Sequence, residues 1–234
     1  MFYGTEKGDK LVDDRNYPDS IKVFLQQEKQ LLLSKIPNHD VIIEVGCMEA
    51  RNMEPAIKLG KKYIGIDIVQ EYINIANEIV EQRKLTSICE FLCVDAEQLD
   101  QILKQSELLK TCNAPLFFFP FNSFGNMNNI SKVLNSMRKI KNADFIIFSY
   151  DTDKNATQER YAYYNNCNYK NLLMTREENG IRFTAEDGLN SMAYNEVFLN
   201  KCIRNAGMRT ESRSFANIGI AYFISTREKD IGER

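Results

Sequence analysis

The sequence predicts a doubly wound α/β fold, in which a mostly parallel sheet of seven strands carries helices on both faces. Short runs of β-branched and aromatic residues alternate with amphipathic stretches over roughly the first 150 residues, as parallel βα units require. Near the end of the chain, residues 215–219 are few enough for a hairpin connection. The last strand should therefore run antiparallel to its neighbour.

The order of the elements follows from local patterns along the chain. Residues 1–18 are polar and contain Gly4, Gly8 and Pro18, which indicates an irregular N-terminal arm. Apolar residues at helical spacing, bounded by capping and breaking residues, predict helices at about 20–36, 52–59, 68–84, 97–110, 128–140 and 194–206. Short apolar runs predict strands at about 41–46, 63–67, 89–94, 116–119, 145–149, 208–215 and 218–225.

One segment interrupts this alternation of strands and helices. Residues 151–190 are polar, are rich in Asn and Tyr, and show no clear helical repeat. We expect them to form an insertion of loops and short strands after the fifth strand. With 234 residues, of which 44% are hydrophobic, the chain can bury a proper core as a single domain over residues 1–234.

Composition argues against several classes of function. The formal net charge of -2 gives no basic excess to neutralise phosphates, so nucleic-acid binding is not expected. No apolar run approaches a membrane span, and the polar N-terminus does not resemble a secretory signal. The six cysteines form no C-x-x-C pair, which is typical of reduced thiols in a cytoplasmic protein. His39, the only histidine, is expected on a surface loop and cannot build a His-rich metal site.

Polar residues collect at the predicted carboxyl ends of the strands, where open α/β sheets bind ligands. Glu44 and Gly46 end the first strand, Asp67 ends the second, Asp95 the third, and Asn122 follows the fourth. A glycine turn lets a ligand approach the backbone, and an acid after the second strand can accept hydrogen bonds from both ribose hydroxyls. An acid after the third strand can accept from the amino group of adenine. Together these residues predict a nucleoside site.

A dinucleotide fits this site poorly. From Gly46 the chain lacks the second and third glycines of G-x-G-x-x-G, and Glu49 would repel a pyrophosphate. The sequence also has no G-x-x-x-x-G-K-[ST] loop for nucleotide phosphates. A nucleoside without phosphates, such as S-adenosylmethionine, fits better.

These motifs resemble those of the class I S-adenosylmethionine-dependent methyltransferases, whose first motif is commonly written D/E-x-G-x-G-x-G and often continues with R-N. The resemblance runs from about residue 20 to 226 and implies a Rossmann-like fold with S-adenosylmethionine as cofactor. Met48 and Ala50 replace two of the family's glycines. Matched position by position, the resemblance implies a cofactor-binding set of Glu44, Gly46, Cys47, Arg51, Asn52, Asp67, Ile68, Asp95, Ala96, Phe119 and Asn122.

The methyl acceptor is expected to be a small molecule, methylated at nitrogen or oxygen. Residues 119–122 lack the [DNS]-P-P-[YFW] pattern of enzymes that methylate base amines, and the 151–190 insertion resembles the active-site covers of small-molecule methyltransferases. We predict that Asn122, Tyr163 and Tyr164 orient the acceptor in a transfer driven by proximity.

Two alternatives remain open at the level of sequence. The replacement of two glycines by Met48 and Ala50 motivates a non-catalytic binding or assembly subunit. An RNA or protein methyltransferase that relies on a partner for substrate contacts is the other. The sequence is compatible with a monomer or a homodimer.

Overall fold

The computed structural model describes residues 2–48, 50 and 52–227. Numbered in chain order, its strands are β1 (Val41–Val45), β2 (Lys62–Asp67), β3 (Cys89–Cys93), β4 (Pro115–Phe119), β5 (Asp144–Tyr150), β6 (Leu173–Glu177), β7 (Gly180–Thr184), β8 (Asn190–Tyr194), β9 (Arg209–Phe215) and β10 (Gly219–Ser225). Its α-helices are α1 (Glu6–Asp9), α2 (Asp19–Lys35), α3 (Met53–Lys58), α4 (Gln70–Gln82), α5 (Ile102–Gln105), α6 (Ile130–Lys139), α7 (Lys154–Asn166) and α8 (Glu196–Asn205). None of the described helices has both the length and the apolar character needed to cross a bilayer.

The central sheet has seven strands in the order β3-β2-β1-β4-β5-β10-β9, which confirms the predicted fold class. The first five strands along the chain pair in parallel, whereas β10 is antiparallel to both β5 and β9. The predicted hairpin between β9 and β10 is confirmed. Ala216 and Asn217 turn it with left-handed backbone, at φ 53° and 58°.

The core lies on both faces of this sheet. Successive residues of β4 alternate between the two faces, so that Leu116 and Phe118 join one apolar cluster while Phe117 and Phe119 join the other. All four side chains are at most 1% exposed. The central strand is therefore covered on both sides, as a doubly wound sheet requires.

The prediction that residues 151–190 contain only loops and short strands is wrong, because they include the 13-residue helix α7. Asp153 caps its first turn by accepting a hydrogen bond from the Ala156 backbone at 2.6 Å. Apart from Ala156, the buried residues of α7 are Thr157, Arg160 and two tyrosines, and this polar and aromatic composition hid the helical period. The expected short strands are present as β6, β7 and β8, which form a separate antiparallel sheet.

Two predicted helices have different limits. The stretch predicted as a helix over 97–110 is broken into a 3-10 segment at Ala96–Gln101, the short helix α5 and a 3-10 turn at Leu109–Thr111. The helix predicted from Tyr194 begins instead at Glu196, because Asn195 caps it with a side-chain oxygen that accepts from the Phe198 backbone.

The N-terminal arm, residues 2–18, crosses the carboxyl edge of the central sheet. Its backbone at Gly4 donates to the Tyr72 hydroxyl, which in turn donates to Asp9. Further along the arm, the Leu11 carbonyl accepts a hydrogen bond from the Tyr163 hydroxyl in α7. Because α4 follows β2 and α7 follows β5, the arm covers the region between the ends of these strands.

The expectation that His39 lies on a surface loop is wrong, because its side chain is only 6% exposed. Its two ring nitrogens lie 2.9 Å from the Lys35 carbonyl and 3.0 Å from the Asp144 carboxyl. Burial raises the pKa of Asp144, but hydrogen bonds from His39 and Ser225 and the charge of Arg227 outweigh burial and leave that pKa below its usual value.

We therefore expect Asp144→Asn to lower the free energy of unfolding at pH 7 by about 1 kcal/mol. An acid whose pKa is lowered by folding adds stability above its unfolded-state pKa and loses it as the pH falls through its folded-state pKa. The difference between variant and wild type should thus shrink below about pH 4. Denaturant titrations over a pH series measure it, with the highly exposed Asp19→Asn as control. A difference that is independent of pH would contradict this account.

Candidate functional site

The loop after β1 forms a backbone cradle at the carboxyl edge of the sheet. Gly46 adopts φ 86°, and a side-chain Cβ placed on it would lie 3.1 Å from Cβ of Ser123 in the loop after β4. The backbone N–H groups of Gly46 and Cys47 both donate to the Ile66 carbonyl, at 2.8 and 3.0 Å. The position therefore favours glycine through both its conformation and its close approach to the neighbouring loop.

Met48 and Ala50, which stand where the related motif has glycines, keep a glycine-like backbone. Their φ angles are 46° and 65°, both in the left-handed region. This conformation costs a residue with a side chain about 1–2 kcal/mol. Both positions thus adopt a backbone conformation that favours glycine, although neither residue is a glycine.

Asp67 at the end of β2 faces this loop. Its carboxylate accepts hydrogen bonds from the backbone N–H groups of Met48 and Val69, each at 3.0 Å. Burial is the main reason that the pKa of Asp67 is raised, and these backbone donors oppose it. A carboxylate has about four lone-pair positions, so Asp67 can still accept from a ligand hydroxyl.

Glu44 is held below the loop and is 1% exposed. Asn52 donates to one of its carboxylate oxygens at 2.6 Å, and the Tyr63 hydroxyl donates to the other. Burial raises the pKa of the neighbouring Cys47 thiol well above its ordinary value, with Glu44 and Asp67 adding to the rise. Cys47 is therefore a buried thiol rather than a nucleophile.

Arg51, which sequence reasoning placed in the cofactor site, lies outside the described residues.

The side of the site expected to bind adenine is open. Ile68, directly after Asp67, is 46% exposed despite being apolar. Asp95 at the end of β3 is also exposed, and its carboxylate caps the next segment by accepting from the Glu97 backbone at 2.9 Å. Ala96 beside it is buried. Ile68 therefore offers an exposed apolar surface, and Asp95 an exposed hydrogen-bond acceptor, at the ends of the neighbouring strands β2 and β3.

The end of β4 is closed by contrast. Phe119 is fully buried in the core, and the chain turns after Pro120 with left-handed backbone at Phe121 and Asn122, φ 44° and 59°. Glu28 of α2 accepts a hydrogen bond from the Phe121 backbone at 2.7 Å. This buried glutamate lies on the apolar face of α2 in line with Phe24 and Leu32, a pattern that could have drawn attention to it.

Asn122, 1% exposed, is the centre of a buried hydrogen-bond network. Its side-chain oxygen accepts from Ser149 at 2.7 Å. Its side-chain nitrogen lies 3.2 Å from Oγ of Ser191 and 3.1 Å from the Met192 carbonyl, both in β8. The asparagine thus joins the central sheet to the small sheet of β6–β8.

The structure brings Tyr163 and Tyr164 to the same region, and both are buried. The Tyr163 hydroxyl donates to the Leu11 carbonyl of the arm at 2.5 Å, and the Tyr164 hydroxyl lies 3.0 Å from Oγ of Ser191. Burial raises the pKa of Tyr163 well above its ordinary value, so its hydroxyl stays protonated and acts as a hydrogen-bond donor.

Two residues that the sequence analysis did not single out complete this region. Arg160 is 1% exposed and lies on the same face of α7 as Tyr163 and Tyr164. Tyr3 of the arm is half-buried, but its hydroxyl oxygen is fully enclosed. We call Tyr3, Tyr150, Tyr163 and Tyr164 the tyrosine cluster. No sequence signal marked Arg160, because the helix that buries it showed no clear helical period, and nothing local marks Tyr3.

Comparison with known proteins relates this chain to one family. A family model described as a methyltransferase domain matches residues 36–196, which include every site residue predicted above. A search of curated protein sequences found no significant match.

Solved structures share the fold at low sequence identity. The PH0226 protein from Pyrococcus horikoshii OT3 is 13% identical over 95% of this chain and 99% of its own, with a TM-score of 0.66. The 1,6-didemethyltoxoflavin-N1-methyltransferase from Burkholderia thailandensis is 10% identical over 88% of this chain and 79% of its own, with a TM-score of 0.60. Magnesium protoporphyrin IX methyltransferase from Synechocystis PCC 6803 is 12% identical over 88% and 85%, with a TM-score of 0.57.

The left-handed backbone of the loop after β1 leads to a stability prediction. Ala50→Gly should leave the free energy of unfolding unchanged or raised, because relief of the left-handed strain offsets the flexibility that glycine adds to the unfolded chain. The matched control is Ala162→Gly in the exposed face of α7, which should cost about 1 kcal/mol. Urea titrations compare the two. Equal destabilisation by both substitutions would show that Ala50 is not strained.

Proposed function

Because the chain belongs to the methyltransferase domain family, among the class I enzymes that use S-adenosylmethionine, we propose that it methylates a nitrogen or oxygen atom of a small molecule. The observation that carries this proposal is the enclosure of the acceptor side of the site. The arm with α7 on one side and β8 of the small sheet on the other cover the ends of β4 and β5. Such an enclosure suits a small acceptor better than a nucleic acid or a folded protein.

We assign the cofactor to the edge formed by the ends of β1, β2 and β3. The cradle at Gly46, the left-handed backbone of Met48 and Ala50, and the free acceptor capacity of Asp67 support this assignment. Asp67 would hold the ribose, with Ile68, Asp95 and Ala96 around the adenine. Glu44, Cys47 and Asn52 would support the loop from below, and Phe119 and Asn122 would border the transferable methyl group.

When bound, the cofactor supplies a methyl group on a positively charged sulfur. The residues of this chain then have to align the acceptor and exclude water, because the reaction is a direct displacement. The buried network around Asn122 fixes the wall opposite the cradle. Tyr163 and Tyr164, as hydrogen-bond donors in a dry environment, would orient the acceptor or the segments that cover it.

The alternative of a non-catalytic subunit rests on Met48 and Ala50. The left-handed, glycine-like backbone at both positions favours a working cradle over this alternative. The alternative of a partner-dependent RNA or protein methyltransferase requires an accessible acceptor side, whereas Asn122, Tyr163 and Tyr164 are at most 3% exposed. Among the structural neighbours, 1,6-didemethyltoxoflavin-N1-methyltransferase is named for the acceptor 1,6-didemethyltoxoflavin.

Methyl transfer from labelled S-adenosylmethionine tests the proposal directly. A cell extract is separated into small-molecule, RNA and protein fractions, and each is incubated with the protein. We expect label in the small-molecule fraction. In Asp67→Asn, cofactor affinity measured by calorimetry should fall at least tenfold, because hydrogen bonds to a charged acceptor contribute about 1.5–3 kcal/mol. Label confined to RNA or protein would contradict a small acceptor, and absence of cofactor binding by the wild type would favour the non-catalytic subunit.

The contact between Tyr163 and the arm leads to a second prediction. Tyr163→Phe removes the hydrogen bond to the Leu11 carbonyl, so the arm should leave the site more often. We expect affinity for S-adenosylhomocysteine to fall about 2- to 10-fold, the range of one neutral hydrogen bond. Tyr161→Phe, at an exposed position of the same helix, is the control. If both variants bound S-adenosylhomocysteine equally well, the contact between Tyr163 and the arm would have no role in ligand binding.

A further inference from the structure

Arg160 is a buried cation that pairs with no carboxylate of the described residues. Its side chain is among the largest fully buried ones, yet none of the ion pairs among the described residues involves it. Its guanidinium donates only to neutral groups: the Tyr164 hydroxyl at 3.2 Å, the Ile181 carbonyl at 3.0 Å, and the carbonyl and Oγ of Ser191 at 2.8 and 2.9 Å. Charged side chains are rarely buried unless they are paired.

Aromatic rings replace the missing carboxylate in part. The guanidinium carbon lies 5.2, 5.4 and 4.8 Å from the ring centres of Tyr150, Tyr164 and Phe183. Ring faces attract a cation, but they do not neutralise its charge. The surroundings therefore leave a full positive charge buried away from water, where an anion would be attracted to it.

Hydrogen-bond donors around this charge are still available. A guanidinium has five N–H groups. Four contacts are made, one from Nε, one from Nη1 and two from Nη2, which leaves one N–H on Nη1. The hydroxyls of Tyr3 and Tyr150 are enclosed and have no hydrogen-bond partner among the described residues. Buried hydroxyls normally find a partner, so these two are candidates for ligand contacts.

The position of this group relative to the cofactor site is fixed by shared neighbours. Oγ of Ser191 contacts both the Arg160 guanidinium and the side-chain nitrogen of Asn122, so Arg160 is one residue away from the end of β4. On the other side, the Tyr3 hydroxyl lies within electrostatic range of Arg160 and Tyr164 and also of Asp67. Tyr3 in the arm is thus close enough to the buried charge and to the expected ribose-binding acid to interact electrostatically with each of them.

The geometry points to a subsite in which Arg160, with the Tyr3 and Tyr150 hydroxyls, binds a carboxylate of the methyl acceptor. This inference rests on the proposed function, since it specifies the acceptor for the same site. One buried cation balances one negative charge, which fits a monoanionic carboxylate better than a phosphate that carries up to two charges. The aromatic walls add contacts for a compact, flat or apolar body. The acceptor is thus a small carboxylic acid that bears the methylated nitrogen or oxygen.

Calorimetry on the protein saturated with S-adenosylhomocysteine tests this subsite. Binding of S-adenosylhomocysteine itself is measured first, and its absence would reject the proposed function rather than the subsite. Acetate, benzoate and 4-hydroxybenzoate are then titrated against their uncharged counterparts acetamide, benzamide and 4-hydroxybenzamide. We expect at least one carboxylate to bind in the low millimolar range or better, at least tenfold tighter than its amide. If no carboxylate binds, or if the amides bind equally well, the subsite is wrong.

Substitutions test whether Arg160 is the residue that produces the preference for a carboxylate over its amide. Arg160→Met should abolish the preference for the carboxylate while affinity for S-adenosylhomocysteine stays within about threefold. Arg176→Met, at an exposed position of β6, is the matched control and should leave the preference unchanged. Arg160→Lys keeps the charge without the planar fork and should retain part of the preference.

Tyr3→Phe provides a test that does not depend on how well the Arg160 variants fold. It removes an unpartnered hydroxyl from the arm, so stability should not decrease. We expect the carboxylate to bind about 2- to 10-fold more weakly, whereas the amide should be unaffected. A preference for the carboxylate that survives both Arg160→Met and Tyr3→Phe would place anion binding elsewhere and overturn the proposal.

Discussion

The path of the chain at the carboxyl edge of the sheet is the constraint on which the rest of the structure depends. Parallel strands all end at this edge, and the chain has to turn sharply there to enter the next helix. After β1 and β4 it does so through left-handed backbone, at Gly46, Met48 and Ala50 and again at Phe121 and Asn122. Four of these five residues carry a side chain, so surrounding contacts have to hold the turns in place.

Buried acids and amides provide those contacts. Glu28 receives the Phe121 backbone N–H, and Asp67 receives that of Met48. Asn122 is fixed from both sides, by Ser149 in the central sheet and by Ser191 in the small sheet. Each group therefore stabilises an unfavourable turn and at the same time places a polar side chain at the edge. The left-handed turns therefore both cost conformational free energy and determine the shape of the site.

Sequence reasoning recovered what depends on local pattern and missed what depends on distant partners. The strands, their alternation with helices and the antiparallel β10 follow from periodicity and turn length, and all are present. Asp67 ends β2, and Gly46, Asp95 and Asn122 lie within three residues of the ends of β1, β3 and β4, because strand ends can be read from the sequence. The helix α7 was missed since its buried face is polar and aromatic, and His39 was misplaced because its partner Asp144 is distant in sequence.

The missed residues share one property: they are polar, and only the fold shows that they are buried. Arg160 becomes unusual only when the packing of Tyr150, Tyr164 and Phe183 around it is known. Tyr3 is in an arm whose sequence contains no regular pattern. The position of Tyr3 depends on where the whole arm docks. The contact that docks it, between Leu11 and Tyr163, joins residues far apart in sequence and could not be predicted from local pattern.

The N-terminal arm makes hydrogen bonds to both halves of the site, the cofactor edge and the tyrosine cluster. Near its start, Gly4 and Asp9 bond to Tyr72, in the helix that follows Asp67. In the same stretch, the Lys7 carbonyl accepts a hydrogen bond from Tyr169, which follows α7, and the Leu11 carbonyl accepts one from Tyr163, which lies in α7. Only Gly8 separates Lys7, which contacts Tyr169, from Asp9, which contacts Tyr72, so the arm cannot leave one half of the site while it stays fully bonded to the other. Access to the cofactor edge and access to the tyrosine cluster are therefore coupled by the same short segment, which carries Tyr3 between them.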